Sequence, residues 1–153
     1  MEIINAELID LDIDATTKEE AIQALAKKIH GADRLNDYDG YYESVIAREE
    51  LTTTGIGFGI AIPHGKTPHV KETTVAFGRL NQALDWKSLD ETDVNVVFLL
   101  AVPEACQGNQ HLKIIASLSR KLIHEDFRKT LQDAKNPSEI LAVLNESLQA
   151  AVA

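Results

Sequence analysis

The sequence predicts an α/β fold, a three-layer sandwich in which a β-sheet is flanked by helices on both faces. Two amphipathic helical patterns open the chain, short apolar and β-branched segments crowd its middle, and three more helical patterns close it. A sheet formed between two groups of helices has a cover available for each face.

The first helix is marked at both ends. Thr17 and Glu20 stand as a capping box, Ile22, Leu25, Ala26 and Ile29 recur on one face, and Gly31 is a stop signal. A second helix is expected from about Tyr41 to Glu50, with Tyr42, Val45 and Ile46 turned inward. The stretch after it is too broken by glycine and proline for a long helix. Thr73 to Leu80 (TTVAFGRL) reads as a strand, rich in β-branched and aromatic residues. Val94 to Val102 (VNVVFLLAV) is almost continuously apolar, the pattern of a central strand covered on both faces. Beyond Pro103, helices are expected from Gln110 to Ile123, from about Glu125 to Ala134, and from Asn136 onward. In the last, Asn136 is the N-cap, Pro137 the first helical residue, and Ile140, Leu141, Leu144 and Leu148 the apolar stripe.

At 153 residues the chain has room for one domain with an ordinary core, and residues 1–153 are expected to form it. Its 44% hydrophobic and 25% charged residues fit a globular chain. The longest apolar run, Val94 to Pro103, is too short to span a bilayer, and the acidic start MEIINAELID has no signal-peptide pattern. The single cysteine, Cys106, excludes an internal disulfide and suits a reducing compartment, so a cytoplasmic location is expected. A net charge of −9 speaks against nucleic acid, because duplex affinity comes from Lys and Arg neutralising phosphates. Any anionic substrate must then be held by a local device rather than by the overall field.

Such a device is suggested by GIGFGIAIPHGKTPH, Gly55 to His69. Ile60-Ala61-Ile62 is a short extended segment, and Pro63 fixes its own φ while pushing Ile62 toward extended geometry. Gly65 leaves the imidazole of His64 uncrowded. His64 is therefore expected to be rigid, at a strand end, and reachable from outside, as a nucleophile or ligand must be. On the helix beginning near Gln110, His111 shares a face with Ile115, Leu118 and Leu122. There it is either a group facing an anion at the helix N-terminus or a satisfied histidine on the core edge. Arg48, near the end of the second helix, is either a phosphate clamp or a solvated residue favourably placed at a helix C-terminus. Lys66 and His69 flank the loop without a specific assignment.

The spacings of His64 with His69 and of Cys106 with His111 match no zinc motif, and no G-x-x-x-x-G-K-[ST] is present. Neither a metal nor a cofactor is expected, and Cys106 reads as an ordinary thiol between strand and helix.

Glu49, Ile56-Gly57 and Ile60-Ala61-Ile62-Pro63-His64-Gly65 together resemble the phosphorylation-site signature of the fructose/mannitol-type (type-2) IIA components of the bacterial sugar phosphotransferase system. Gly108-Asn109-Gln110-His111-Leu112 resembles that family's second histidine motif, and the tail DFRKTLQDAKNPSEILAVL its ending. The resemblance implies a mixed sheet of about five strands and a phosphocarrier activity. By it, the histidine-containing phosphocarrier protein phosphorylates His64 on Nε2. The group then passes to a cysteine of a IIB component, with the IIC membrane component served only indirectly. His111 and Arg48 are implied as supports for the phosphate. With no fused IIB or membrane domain before Ala153, a stand-alone subunit is expected. The family also contains nitrogen-type regulatory relatives; the Gly-Asn-Gln-His-Leu stretch looks more like the sugar branch. A metal-dependent hydrolase using His64 and His111 is the remaining alternative.

Overall fold

Ile9, Leu11 and Ile13 alternate with Asp10 and Asp12, and this short period-two run forms the first strand, which the helical signals of the N-terminal region overshadow. The computed structural model describes residues 2–105 and 109–152. A 3₁₀ turn (Ala6–Leu8) leads into β1 (Ile9–Ile13), followed by α1 (Lys18–Gly31) and α2 (Tyr38–Leu51). Three short strands come next, β2 (Gly55–Gly57), β3 (Ile60–Ala61) and β4 (His64–Thr67), then the long β5 (Thr74–Leu84) and β6 (Val94–Pro103). The chain closes with α3 (Gln110–Leu122), α4 (Glu125–Asp133) and α5 (Pro137–Val152).

The strands form one mixed sheet in the order β1-β5-β6-β3-β2, with β4 also on β6. β1 runs parallel to β5, and β5 antiparallel to β6. The other edge of β6 is shared by β3 and β4, both parallel to it, and β2 lies antiparallel beyond β3. With β3 and β4 counted as one interrupted position, the sheet is five strands wide, as expected.

β6 is the centre of the core. Val94 and every residue from Val96 to Val102 are buried, so both faces of this strand are covered. Phe77 and Phe98 sit opposite each other in the ladder, with ring centroids 5.2 Å apart in an edge-on arrangement. α1 packs on β5 and α2 on β4, while α3, α4 and α5 pack together against the other face. Gly78 is a close-approach point: a Cβ there would lie 2.5 Å from Ile13 Cδ1 and 2.9 Å from Leu25 Cδ1.

The helix starts follow their caps. Thr17 Oγ1 accepts the Glu20 N–H at 3.1 Å, while the Glu20 carboxylate reaches back to the Thr16 N–H. α2 begins earlier than expected, because the Asp37 carboxylate accepts the Gly40 N–H and caps it there. With the helix so placed, Tyr41 rather than Tyr42 is the fully buried ring, and its hydroxyl donates to the Leu100 carbonyl at 2.8 Å. β5 runs on past Leu80 through exposed Asn81, Gln82 and Ala83 to buried Leu84, which pairs with Val94 after a shift of register.

Candidate functional site

Pro63 has no N–H to give to a ladder, so β3 stops before it. Its carbonyl nevertheless accepts the Leu100 N–H at 3.0 Å, which keeps the chain against β6. Pairing then resumes at His64, opposite Leu100. His64 therefore opens a strand rather than ending one, a correction to the expected placement.

Alternation along β4 sorts its side chains. Gly65 and Thr67 are buried beneath α2, whereas His64 and Lys66 are half-buried on the other face. Gly65 does not principally spare the imidazole. A Cβ there would stand 3.1 Å from Val45 Cγ2 and 3.2 Å from Tyr41 Cε1, so its absence lets α2 seat on the strand.

His64 Nδ1 lies 3.1 Å from the Ile62 carbonyl oxygen. A carbonyl only accepts, so Nδ1 carries the proton and donates, and Nε2 is left with its lone pair. Burial pushes the His64 pKa below the usual histidine value; the Ile62 hydrogen bond opposes this, the charges of Arg48 and His111 add to it, and Glu49 opposes it. The neutral form of the ring is thereby favoured.

α3 brings the second histidine. Asn109, at φ 55°, turns the chain into the helix, and the Thr73 hydroxyl bonds to Gln110 Oε1 at 2.5 Å, tying the helix start to the sheet. The His111 ring then lies 5.7 Å from that of His64, centroid to centroid, tilted by 34°. His111 Nδ1 is buried and has no hydrogen-bond partner among the described residues. Burial, and then the charge of Lys66, lower the His111 pKa. The first N–H groups of α3 have no partner within the helix, as at any helix start. Cys106 and Gly108 lie outside the described residues.

Arg48 donates from Nη1 to the Thr52 carbonyl at 2.9 Å, closing the last turn of α2, and its charge reaches His64. Its guanidinium is thus placed at the C-terminus of α2, the second of the two placements weighed for it. His69 is apart from the site: it packs on the start of α2, its Nδ1 4.0 Å from Asp37. Ile60 and Ile62 are core residues, while Phe58 is 55% exposed with Arg128 over its ring.

Two contributions to the site are absent from the sequence-based assignment. Lys66 shares the face of His64 because residues two apart in a strand share a face. Glu49, noted there only as part of a signature, is 6% exposed and bonds to Thr54. Strand periodicity could have flagged the first; the second depends on a fold contact with Trp86. Among the described residues no group of three or more His, Cys, Asp and Glu side chains stands ready to hold a metal ion, and no helix is long and apolar enough to cross a membrane.

The chain is similar to known proteins over nearly its whole length. Residues 2–147 match the family described as phosphoenolpyruvate-dependent sugar phosphotransferase system, EIIA 2. A PTS system fructose-specific EIIA component from Haloferax volcanii is 40% identical over 143 residues, covering 94% of this chain and 92% of the relative. Among solved structures, nitrogen regulatory protein IIA-Ntr from Neisseria meningitidis superimposes with TM-score 0.84 at 29% identity, covering 92% of this chain and 94% of that one. The complex of enzyme IIAMTL with phosphorylated enzyme IIBMTL from Escherichia coli gives TM-score 0.79 at 27% identity, covering 96% and 97%. The chain belongs to the EIIA 2 family of the phosphoenolpyruvate-dependent sugar phosphotransferase system, a family of phosphocarriers.

Proposed function

We propose that this chain carries a phosphoryl group on His64 Nε2, taking it from the phosphorylated histidine-containing phosphocarrier protein and giving it to a cysteine of a IIB component. The observation that carries the proposal is the 3.1 Å contact between His64 Nδ1 and the Ile62 carbonyl, which leaves Nε2 as the free nucleophile. In the first transfer the Nε2 lone pair attacks phosphorus, and the donor's N–P bond breaks with its electron pair returning to the donor ring. In the second, the partner's thiolate attacks the same phosphorus and the pair returns to Nε2. Throughout, the proton stays on Nδ1, hydrogen-bonded to the Ile62 carbonyl, so no proton need move within this chain.

Charge on the three phosphoryl oxygens has to be met by positioned donors. His111 beside the ring, the first N–H groups of α3, Arg48 and Lys66 are the groups assigned to this, with no metal. Support for a protein acceptor comes from the solved complex of a IIA with a phosphorylated IIB at 27% identity to this chain.

The test is incubation with phosphoenolpyruvate, Enzyme I and the histidine-containing phosphocarrier. The expected result is one acid-labile phosphate on the wild-type chain and none on His64→Ala; undiminished labelling of the variant sinks the assignment. His111→Ala is expected to fold and to pass phosphate at least tenfold more slowly, as for loss of one preorganised donor. Equal rates in both half-reactions would make His111 structural.

A second reading is favoured by the likeness to IIA-Ntr: the phosphorylation state of His64 controls a regulatory partner instead of feeding sugar uptake. Transfer from the labelled chain to a IIB component encoded beside it supports the first reading. Retention of label with every such component, together with phosphorylation-dependent binding of a non-transport protein, supports the second.

A further inference from the structure

We infer that Glu49 is a positioning residue for the phosphoryl-accepting histidine, setting the ring of His64 through Thr54 and Ile62. The inference rests on the phosphocarrier reading above and concerns how the acceptor nitrogen is kept available.

Glu49 lies in the last turn of α2, next to Arg48, but points inward and is 6% exposed. Every polar neighbour of its carboxylate is a donor. One oxygen accepts the Thr54 N–H at 3.0 Å, the other the Thr54 hydroxyl at 2.5 Å, and Trp86 Nε1 lies 3.3 Å from both Glu49 Oε1 and Thr54 Oγ1. Lys18 Nζ stands 3.7 Å away on the outer side. Both donors of Thr54 are therefore committed to one rigid group.

The consequence runs along the backbone. With Thr54 held at its N–H and hydroxyl, its carbonyl faces β3 and accepts the Ile62 N–H at 2.9 Å. Ile62 precedes proline, so its backbone is already confined to extended geometry. The Thr54 bond removes the remaining freedom and fixes where the Ile62 carbonyl points. That carbonyl accepts the hydrogen bond from His64 Nδ1–H. Glu49 thus helps decide which ring nitrogen is bare without touching the ring. A buried carboxylate costs desolvation that a neutral side chain would avoid, and here it holds four donors in place.

The test uses the full, unphosphorylated chain with ¹⁵N-labelled histidine. Long-range ¹H–¹⁵N spectra above the His64 pKa report the fraction of rings protonated on Nδ1. The wild type is expected to be predominantly Nδ1–H. Glu49→Gln inverts one pair of hydrogen bonds, and it is expected to give a mixture of tautomers and phosphorylation slowed about 10- to 100-fold, the scale of a misplaced reacting group. Leu148→Ala, in the α5 core, lowers stability by another route and is expected to keep the wild-type tautomer. A folded Glu49→Gln protein with wild-type tautomer and rate overturns the proposal, as does an equal tautomer shift in Leu148→Ala. If Glu49→Gln does not fold, Thr54→Val, which keeps the N–H and loses the hydroxyl, is judged by the same two outcomes. No phosphoryl donor enters the tautomer measurement, so a wild type that accepts no phosphate would end the phosphocarrier reading and leave this test standing.

Discussion

A histidine that must act as a nucleophile is useless when protonated, and the surroundings of His64 resist protonation. Its pKa is lowered chiefly by burial, with Arg48 and His111 adding their charges. The unfolded chain takes this proton near the ordinary value of 6.5, the folded chain only at lower pH. Across that window the unfolded state binds more protons, so His64 stabilises the fold above about pH 6.5 and that contribution is lost as pH falls through the folded pKa. His111, also lowered, acts in the same sense. An NMR titration of the ring protons is expected to place both midpoints below 6.5, and His64→Asn is expected to flatten the loss of Tm between pH 7 and pH 5. A His64 midpoint above 6.5 would contradict the burial argument. At this scale the sequence was informative about identity and less so about partners. Pro63 and Gly65 single out His64 as local signals. The Ile62 carbonyl that fixes its tautomer depends on how β3 and β4 lie along β6, which no local pattern encodes.

Elements meet here through missing atoms as much as through side chains. α2 approaches β4 over Gly65, and Gly65→Ala would press a methyl against Val45, Tyr41 and Ser44 at 3.1–3.3 Å. The expected cost is about 1–3 kcal/mol, the range for overpacking, read from a lowered urea midpoint at unchanged slope. Gly31→Ala is the control: a Cβ at the end of α1 meets nothing within 4 Å, and a gain of about 0.4–1 kcal/mol is expected. Equal effects at the two positions would refute the close-approach argument. Helices were the legible elements, because a cap and an apolar stripe are local: Thr17, Pro137 and the stripe of Ile140, Leu144 and Leu148 all fall where expected. The strands were less so. β1 is five residues with aspartates on alternate positions, and the outer part of β5 is polar, so both are strands because a neighbour pairs with them.

For the whole molecule, the order of patterns along the chain was enough to predict layering, since helices before and after a run of strands can cover both faces. It was not enough to give strand order, which places the long apolar β6 between β5 and the interrupted β3–β4 edge. Nor was the −9 net charge a guide to the site, where Arg48, Lys66 and two histidines gather on one local face.

The interruption at Pro63 has a consequence for how the molecule breathes. Functional groups borne on loops belong to segments that open at little cost, and their amides exchange with solvent quickly. His64 is instead the first residue of a strand laid on β6, whose faces and edges are all occupied. The amides of β4 paired with β6 are therefore expected to exchange deuterium in the slowest class, at the rate of global unfolding. Those of the β2–β3 turn around Phe58 should exchange orders of magnitude sooner. Fast exchange throughout β4 would show that the mount opens by itself. On the structure described here, the backbone bearing the reactive nitrogen is among the last parts of the chain to meet solvent.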